Sequence, residues 1–299
     1  MSFAPVARLA PGARVAVVAP SGPFDRESFE KGLALIAGRY TPVFTERIFD
    51  QRRYLAGDDA ARLAELQAAL DAPGLRAIFA ARGGYGAMRL LRGLHLEGRA
   101  PRALVGFSDF TALHAAAQAA GWRSLHAPVL TQLGKQPPVV VEELFAFLEG
   151  RAVSPYQGGD CLVRGVAEGP LLGGNLSLVT RLLGTPHLPS LRGAVLFLED
   201  LGERPYRLDR MWTHLRLAGA LDGVAGIALG EFTTCDEPGA DFGSAEVLRS
   251  LAEETGLPCA AGFAVGHGEV NHPLPLGARV RLDAERKTLT FLEPLVAGA

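Results

Sequence analysis

Short apolar runs alternate with segments whose apolar residues recur every three or four positions through the first half of the chain. The runs indicate strands, and the spaced segments indicate amphipathic helices. An alternation of this kind is typical of a parallel sheet covered by helices. The predicted strands are Val15–Ala19, Ala77–Ala80 and Ala103–Gly106, and the predicted helices are Arg26–Ile36, Asp58–Leu70, Ala87–Leu94 and Asp109–Ala120.

A polar stretch that contains glycines and prolines, residues 150–159, interrupts both patterns. The chain length also favours two domains. We therefore predict an α/β protein with an N-terminal domain over 1–152, a linker over 153–164 and a C-terminal domain over 165–299. The second half is predicted to contain strands at Ala194–Leu198, Gly226–Leu229, Arg279–Leu282 and Leu289–Leu292, and helices at Asn175–Leu183, Leu208–Ala218 and Ala245–Glu254.

The composition adds limits on partners and compartment. Thirty basic and 32 acidic residues give a formal charge of −2, so no positive field attracts nucleic acid or an anionic membrane. A peptide or small molecule is the expected partner. The first 24 residues do not resemble a signal peptide, and no apolar run is long enough to span a bilayer. Three widely spaced cysteines indicate neither a disulfide framework nor a cysteine metal site, so we expect a cytoplasmic protein.

The most informative segment is the predicted turn from strand to helix around Ser108. A serine at such a turn projects its hydroxyl beyond the sheet, and the start of the helix offers free N–H groups to an oxyanion. This arrangement suits a nucleophile, although the sequence is not the G-x-S-x-G motif, because Phe110 occupies the last position. The alternative is that Ser108 caps the helix and that Asp109 stabilises its first turn.

Two further segments combine glycines with polar side chains. The turn Arg82–Gly86 follows a strand and precedes a helix, so its glycines can bring the backbone close to a ligand. Its spacing does not fit a dinucleotide site, and a tight turn that serves only packing is the alternative. His267, between Gly266 and Gly268, is an accessible candidate for a general base.

Other interpretations of His267 remain open. A metal site made of His267, Glu269 and His272 is one, but its spacing matches none of the common zinc motifs. A structural histidine is another. Glu199 and Asp200 end an apolar strand, where open α/β sheets bind ligands, but a salt-bridged loop has the same sequence pattern.

Taken together, these residues resemble the LD-carboxypeptidase (muramoyltetrapeptide carboxypeptidase) family of serine peptidases. The resemblance follows the family's order over most of the chain. It rests on the segments Val18–Gly22, Arg82–Gly86, Gly106–Phe110, Gly173–Leu176, Leu183–Pro186, Leu198–Asp200, Glu203–Arg210 and Gly266–His267.

The resemblance implies a role for individual residues. Ser108 is then the nucleophile, His267 its general base and Glu199 the carboxylate that orients the imidazole. Backbone N–H groups of Asp109 and Gly84 are expected to form the oxyanion hole. The residues expected to contact substrate are Arg82 and Arg207, either of which is a candidate for the D-alanine carboxylate, together with Tyr85 and Ser21.

The resemblance also implies an architecture and an activity. The N-terminal domain is expected to be nucleotide-binding-like, the C-terminal domain smaller and of mixed α/β structure, and the site is expected in the cleft between them. The expected reaction removes the terminal D-alanine from murein tetrapeptide, or a related muropeptide, in cell-wall recycling. No cofactor or metal is expected, and the family resemblance favours a homodimer.

Two other functions fit parts of the sequence. A microcin-C-type immunity peptidase, which hydrolyses aminoacyl-nucleotide compounds, has a similar set of catalytic residues but needs an aromatic platform for the base. Trp122 and Trp212 lie in or beside helix patterns, so we expect them in the core. A non-catalytic two-domain binding protein has no use for an accessible Ser–His pair.

Overall fold

The computed structural model describes residues 2–298. A parallel sheet forms in the first half from strands whose side chains are mostly apolar and buried, as is expected when helices cover both faces of a sheet. The three strands predicted there are present within one residue at each end. The strands are β1 (Arg14–Val18), β2 (Thr41–Val43), β3 (Ala77–Ala80), β4 (Ala103–Gly106) and β5 (Ser124–His126).

Helices connect these strands and cover the sheet. Asp25 and Asp58 cap the first two, with carboxylate oxygens 2.7 and 2.8 Å from the backbone nitrogens of Ser28 and Ala61. The helices are α1 (Arg26–Ala37), α2 (Asp59–Asp71), α3 (Thr111–Ala119), α4 (Leu130–Leu133) and α5 (Pro138–Glu149). The predicted helix at Ala87–Leu94 is a 3₁₀ helix over Ala87–Gly93, and a 3₁₀ turn at Ser108–Phe110 precedes α3.

The second half adds a sheet of mixed direction. The strands of this half are β6 (Tyr156–Gln157), β7 (Asp160–Val163), β8 (Val166–Asn175), β9 (Val195–Leu201), β10 (Gly226–Thr233), β11 (Cys259–Ala261), β12 (Leu274–Leu276), β13 (Arg279–Asp283) and β14 (Thr288–Phe291). All of them except β12 form the second sheet, in which β8 to β11 are parallel and each outer strand is antiparallel to its inner neighbour. The helices are α6 (Leu176–Arg181), α7 (Pro205–Leu217) and α8 (Ser244–Thr255). The predicted α/β class, with a parallel N-terminal sheet and a mixed C-terminal one, is confirmed.

The chain does not pass from the first sheet to the second through a single linker. The range 153–164, predicted as a linker, contains β6 and β7, which are the two edge strands of the second sheet. In addition, β12 returns to the first sheet and pairs antiparallel with β5. Periodicity within short segments carries no information on such long-range pairing, and the predicted domain limits stay a prediction.

One apolar cluster joins the two sheets. It includes Val17 and Val105 of the first sheet, Phe197 of the second, and Val265 and Leu274 from the segment that passes between them. This shared core holds the ends of β4 and β9 near each other, and the polar residues after those strands meet there. No helix within residues 2–298 combines the length and the apolar character needed to cross a bilayer.

Candidate active site

Ser108 lies two residues after β4, where the chain turns into the 3₁₀ segment before α3. Its φ is 63°, in the left-handed region that residues other than glycine seldom adopt. Such a conformation costs about 1–3 kcal/mol, and residues that adopt it cluster at functional sites. The Ser108 side chain caps neither helical segment, so the helix-cap interpretation is wrong. Ser108 instead lines a cavity of about 380 Å³.

A chain of hydrogen bonds connects the predicted catalytic residues. The Oγ atom of Ser108 lies 3.0 Å from Nε2 of His267, and Nδ1 of His267 lies 2.6 Å from Oε2 of Glu199. Glu199 is in β9 and fully buried, whereas His267 follows β11 in a loop. The first sheet thus supplies the hydroxyl, and the second half supplies the imidazole and the carboxylate.

The electrostatics favour a proton on the imidazole. Burial lowers the pKa of His267, but the hydrogen bond and the negative charge of Glu199, with a contribution from Asp200, outweigh burial and leave the pKa above its ordinary value. Burial raises the pKa of Glu199, and the hydrogen bond with His267 opposes that shift. The imidazole is therefore well suited to take a proton from Ser108.

Two glycines allow the three side chains to approach each other. A Cβ atom on Gly83 would lie 2.9 Å from the Cβ of Ser108 and 3.1 Å from its Oγ. Gly266 has φ of 123°, and a Cβ there would lie 2.7 Å from Oε2 of Glu199. The turn Arg82–Gly86 can therefore lie close to Ser108 because Gly83 has no side chain, and Gly266 leaves room for the buried carboxylate of Glu199.

The loop that carries His267 is held by polar contacts from both halves of the chain. The side-chain oxygen of Asn271 accepts a hydrogen bond from the Gly266 N–H at 2.9 Å. The Asn271 N–H donates to the side-chain oxygen of Gln136 at 2.9 Å, and His272 Nδ1 lies 2.6 Å from Oε2 of Glu143. His272 thus has its own partner in α5, so it does not share a ligand set with His267. Within residues 2–298, no three His, Cys, Asp or Glu side chains converge as a metal site.

Ser21 is placed differently from the prediction. Its side chain is fully buried, and its hydroxyl donates to Oδ2 of Asp109 at 2.6 Å. The same oxygen of Asp109 accepts the Ala87 N–H at 2.8 Å, so this carboxylate links the loops after β1 and β3 to the Ser108 turn. Burial raises the pKa of Asp109. The prediction that Ser21 contacts substrate is wrong, because Ser21 supports the loops from beneath.

The other residues predicted to bind substrate separate into two groups. Arg82 and Gly84 line the cavity at Ser108, and a guanidinium nitrogen of Arg82 donates to the backbone oxygen of Pro23. Tyr85 lies outside the lining of this cavity, with its ring 5.6 Å from that of Tyr54. Arg207 also lies outside it, 3.4 Å from Oε2 of Glu203, because it projects from the exposed side of α7.

The opposite wall of the cavity contains polar residues that the sequence analysis did not assign to the site. The side-chain nitrogen of Asn175 donates to Oδ1 of Asp200 at 3.0 Å, and the Ser177 N–H donates to Oδ2 at 2.8 Å. The sequence feature that could have identified these residues is the pair of glycines before Asn175, at the end of β8. Within residues 2–298 neither Glu199 nor Asp200 pairs with a lysine or arginine, so the salt-bridged-loop interpretation does not apply to these two carboxylates. It does describe Glu203, which pairs with Arg207.

This arrangement can perform nucleophilic acyl transfer. A hydroxyl within hydrogen-bond distance of an imidazole, which is oriented by a buried carboxylate, is the constellation that activates serine toward a carbonyl carbon. The turn at Gly83 and Gly84 lines the same cavity as Ser108, and Asp109 follows Ser108 directly in the 3₁₀ segment.

Comparison with known families agrees with this chemistry. A family model described as the LD-carboxypeptidase N-terminal domain matches residues 15–127, and one described as the LD-carboxypeptidase C-terminal domain matches residues 168–282. A protein of Streptomyces coelicolor named as a carboxypeptidase is 42% identical over 98% of this chain and 97% of its own. The murein tetrapeptide carboxypeptidase of Pseudomonas aeruginosa is 32% identical over 91% of this chain and 94% of its own.

Solved structures share the architecture. The muramoyltetrapeptide carboxypeptidase of Oxalobacter formigenes superposes with a TM-score of 0.80 at 25% identity, over 92% of this chain and 97% of that one. The microcin C7 self-immunity protein bound to glutamyl sulfamoyl guanosine superposes with a TM-score of 0.88 at 23% identity, over 98% and 99%. The second likeness shows the fold alone. Trp122 and Trp212 are buried in the core as predicted, so neither provides an exposed aromatic platform.

Proposed function

Because the chain belongs to the LD-carboxypeptidase family, we propose that it is a serine carboxypeptidase that removes the terminal D-alanine from murein tetrapeptide. The observation that carries this proposal is the continuous contact from Ser108 through His267 to Glu199. The murein tetrapeptide carboxypeptidase of Pseudomonas aeruginosa, which aligns over most of both chains, supports the choice of substrate. A protein that only binds ligand has no need of this contact.

In the proposed mechanism, Ser108 Oγ attacks the carbonyl carbon before D-alanine and transfers its proton to Nε2 of His267. The oxyanion is bound by N–H groups of Asp109 and Gly84. His267 then protonates the nitrogen of the scissile bond, the bond breaks, and D-alanine leaves. Water hydrolyses the resulting ester by the same route, with His267 accepting its proton and returning one to Ser108.

Arg82 is the proposed partner of the D-alanine carboxylate. It lines the same cavity as Ser108, and a guanidinium can bind a carboxylate through two parallel hydrogen bonds. Arg207 is less suited, because it lies outside that cavity and pairs with Glu203.

Release of D-alanine tests the function directly. The purified protein should release D-alanine from a tetrapeptide that ends in L-diaminopimelyl-D-alanine, whereas the same peptide ending in L-alanine, or with an amidated terminus, should remain intact. Chiral chromatography of the products provides the measurement. Equal cleavage of the L-alanine peptide would contradict the stereochemical proposal, and cleavage of an aminoacyl sulfamoyl nucleoside alone would favour the immunity-peptidase activity.

The pH dependence of kcat/KM follows from the state of His267. The imidazole must be neutral to accept the Ser108 proton, and the Glu199 charge raises its pKa. Activity should therefore fall on the acid side with a midpoint above 6.5, the approximate pKa of an unperturbed histidine. In Glu199→Gln the residual activity should show this midpoint at lower pH. A midpoint that does not move in the variant would contradict the assigned pairing.

We also propose that the enzyme works in the cytoplasm, in cell-wall recycling, as a homodimer. Cys161, Cys235 and Cys259 are all unpaired, which suits a reducing compartment. The recycling role and the homodimer rest on the family resemblance. No nucleic acid or membrane is a proposed partner, in line with the small net charge.

A further inference from the structure

A second cavity, of about 690 Å³, adjoins the one at Ser108. Glu203 contributes to the walls of both, and α6 passes from Ser177 in the first cavity to Arg181 in the second. We call this second cavity the basic basin. It is defined by Arg181 of α6 and by Arg207, Arg210 and His214 of α7.

Helical spacing explains why the basic side chains collect there. Arg207, Arg210 and His214 are three and four positions apart in α7, so they share one side of the helix, while Leu208 and Trp212 face the core. The exposed ring of Tyr206 lies close to two of them, with the guanidinium carbons of Arg207 and Arg210 at 5.8 and 5.6 Å from its centre.

The charges in the basic basin are not balanced. Arg207 pairs with Glu203, which is the only acidic residue among the described residues that line this cavity. Among the salt bridges within residues 2–298, none involves Arg181 or Arg210. One nitrogen of Arg181 donates to the Ser177 carbonyl at 2.8 Å, which fixes its side chain along α6. Two cationic groups therefore remain available to an anionic ligand.

We propose that the basic basin binds a carboxylate of the substrate on the acyl side of the scissile bond, in the residue before the one whose carbonyl Ser108 attacks. This inference rests on the proposed carboxypeptidase function.

Such an enzyme releases one terminal residue, so no substrate extends further on the leaving-group side. The cavity at Ser108, with 380 Å³, is near the lower limit for a ligand site, and a tetrapeptide must extend beyond it. The part that extends is the acyl side, and the adjoining cavity is cationic.

The alternative explanation for these arginines is structural. Arg181 ends α6, where a basic residue stabilises the helix dipole, and Arg207 and Arg210 hold the Tyr206 ring through cation–π contacts. A structural role predicts lower thermal stability in the variants but no dependence on the charge of the substrate. The two explanations therefore differ in one measurable quantity, the preference for an acidic over a neutral peptide.

The test uses two tetrapeptides that end in D-alanine and differ at one group, the carboxylate of the second residue or its carboxamide. The wild-type enzyme should cleave the acid with a kcat/KM about tenfold above that of the amide, mainly through KM. Arg210→Gln and Arg181→Gln should each reduce this ratio toward one, and Arg210→Lys should retain part of it. Arg216→Gln is the matched control, because Arg216 is also in α7 but pairs with Glu254 outside the basic basin.

The outcomes separate the two proposals. If the wild type cleaves both peptides equally well, the inference about the basic basin is wrong and the carboxypeptidase function stands. If it cleaves neither, the proposed function is wrong and the inference is overturned with it. An unchanged acid-to-amide ratio in the double variant Arg181→Gln/Arg210→Gln also overturns the inference.

Discussion

Replacing Ser108 with alanine is expected to lower kcat for D-alanine release by about 10³–10⁶-fold. Among the residues that the structure describes, the Oγ atom is the only nucleophile within hydrogen-bond distance of the His267 imidazole, at 3.0 Å, so the variant has nothing to form the acyl-enzyme. Alanine also has a Cβ atom, and the left-handed backbone at this position is no more strained than before. The fold should therefore be retained, and initial rates of D-alanine release give the measurement.

Two controls make the Ser108 result specific. Ser250→Ala removes an exposed hydroxyl in α8 that donates a hydrogen bond to the Glu246 carbonyl, and it should leave kcat unchanged. A fluorophosphonate probe should label the wild type and Ser250→Ala but not Ser108→Ala, and all three should unfold at similar temperatures. Turnover by a folded Ser108→Ala at near the wild-type rate would rule out the serine mechanism.

The second large effect concerns His267 and Glu199. His267→Ala should also lower kcat by about 10³–10⁶-fold, because the proton of Ser108 then has no acceptor. Glu199→Gln should cost about 10⁴-fold, because an amide keeps the shape but does not stabilise the imidazolium. Steady-state kinetics with the tetrapeptide, together with thermal unfolding of each variant, provide the measurement.

His272→Ala is the matched control for His267→Ala. His272 is five residues further along the same loop and pairs with Glu143 rather than with the catalytic residues. Its loss should change kcat by less than about tenfold, as expected for a group that acts only on stability. An essential His272 with a dispensable Glu199, or turnover that a chelator abolishes and zinc restores, would require a metal mechanism.

Local signals in the sequence predicted most elements of the fold. Apolar runs located β3 and β4 without error, because a strand buried on both faces has a continuous apolar sequence. The helix α5 was not predicted, since its sequence, PVVVEELFAFLE, is apolar on most sides and rich in β-branched residues. The pairing of β12 with β5 joins residues about 150 positions apart, and no local pattern records such a pairing.

The candidate site shows the same division between local and long-range information. The turn at Ser108 follows from the sequence around it, whereas the contact with His267 spans 159 residues and was expected only from the family resemblance. Ser21 was misplaced because a motif shows that a residue matters but not whether its side chain faces ligand or core. Arg207 lies outside the cavity at Ser108 for a related reason, since its side of α7 is set by the packing of Leu208 and Trp212.

The position of β12 has a consequence for how such a chain can change by recombination. A fragment that ends at residue 152 would lack the strand that covers β5, and its unpaired N–H and C=O groups would form an edge open to other chains. An exchange of halves between two relatives at 153–164 would also combine a β5 with a β12 from a different ancestor. The two halves are therefore expected to be inherited together, as one unit, and not shuffled as independent modules.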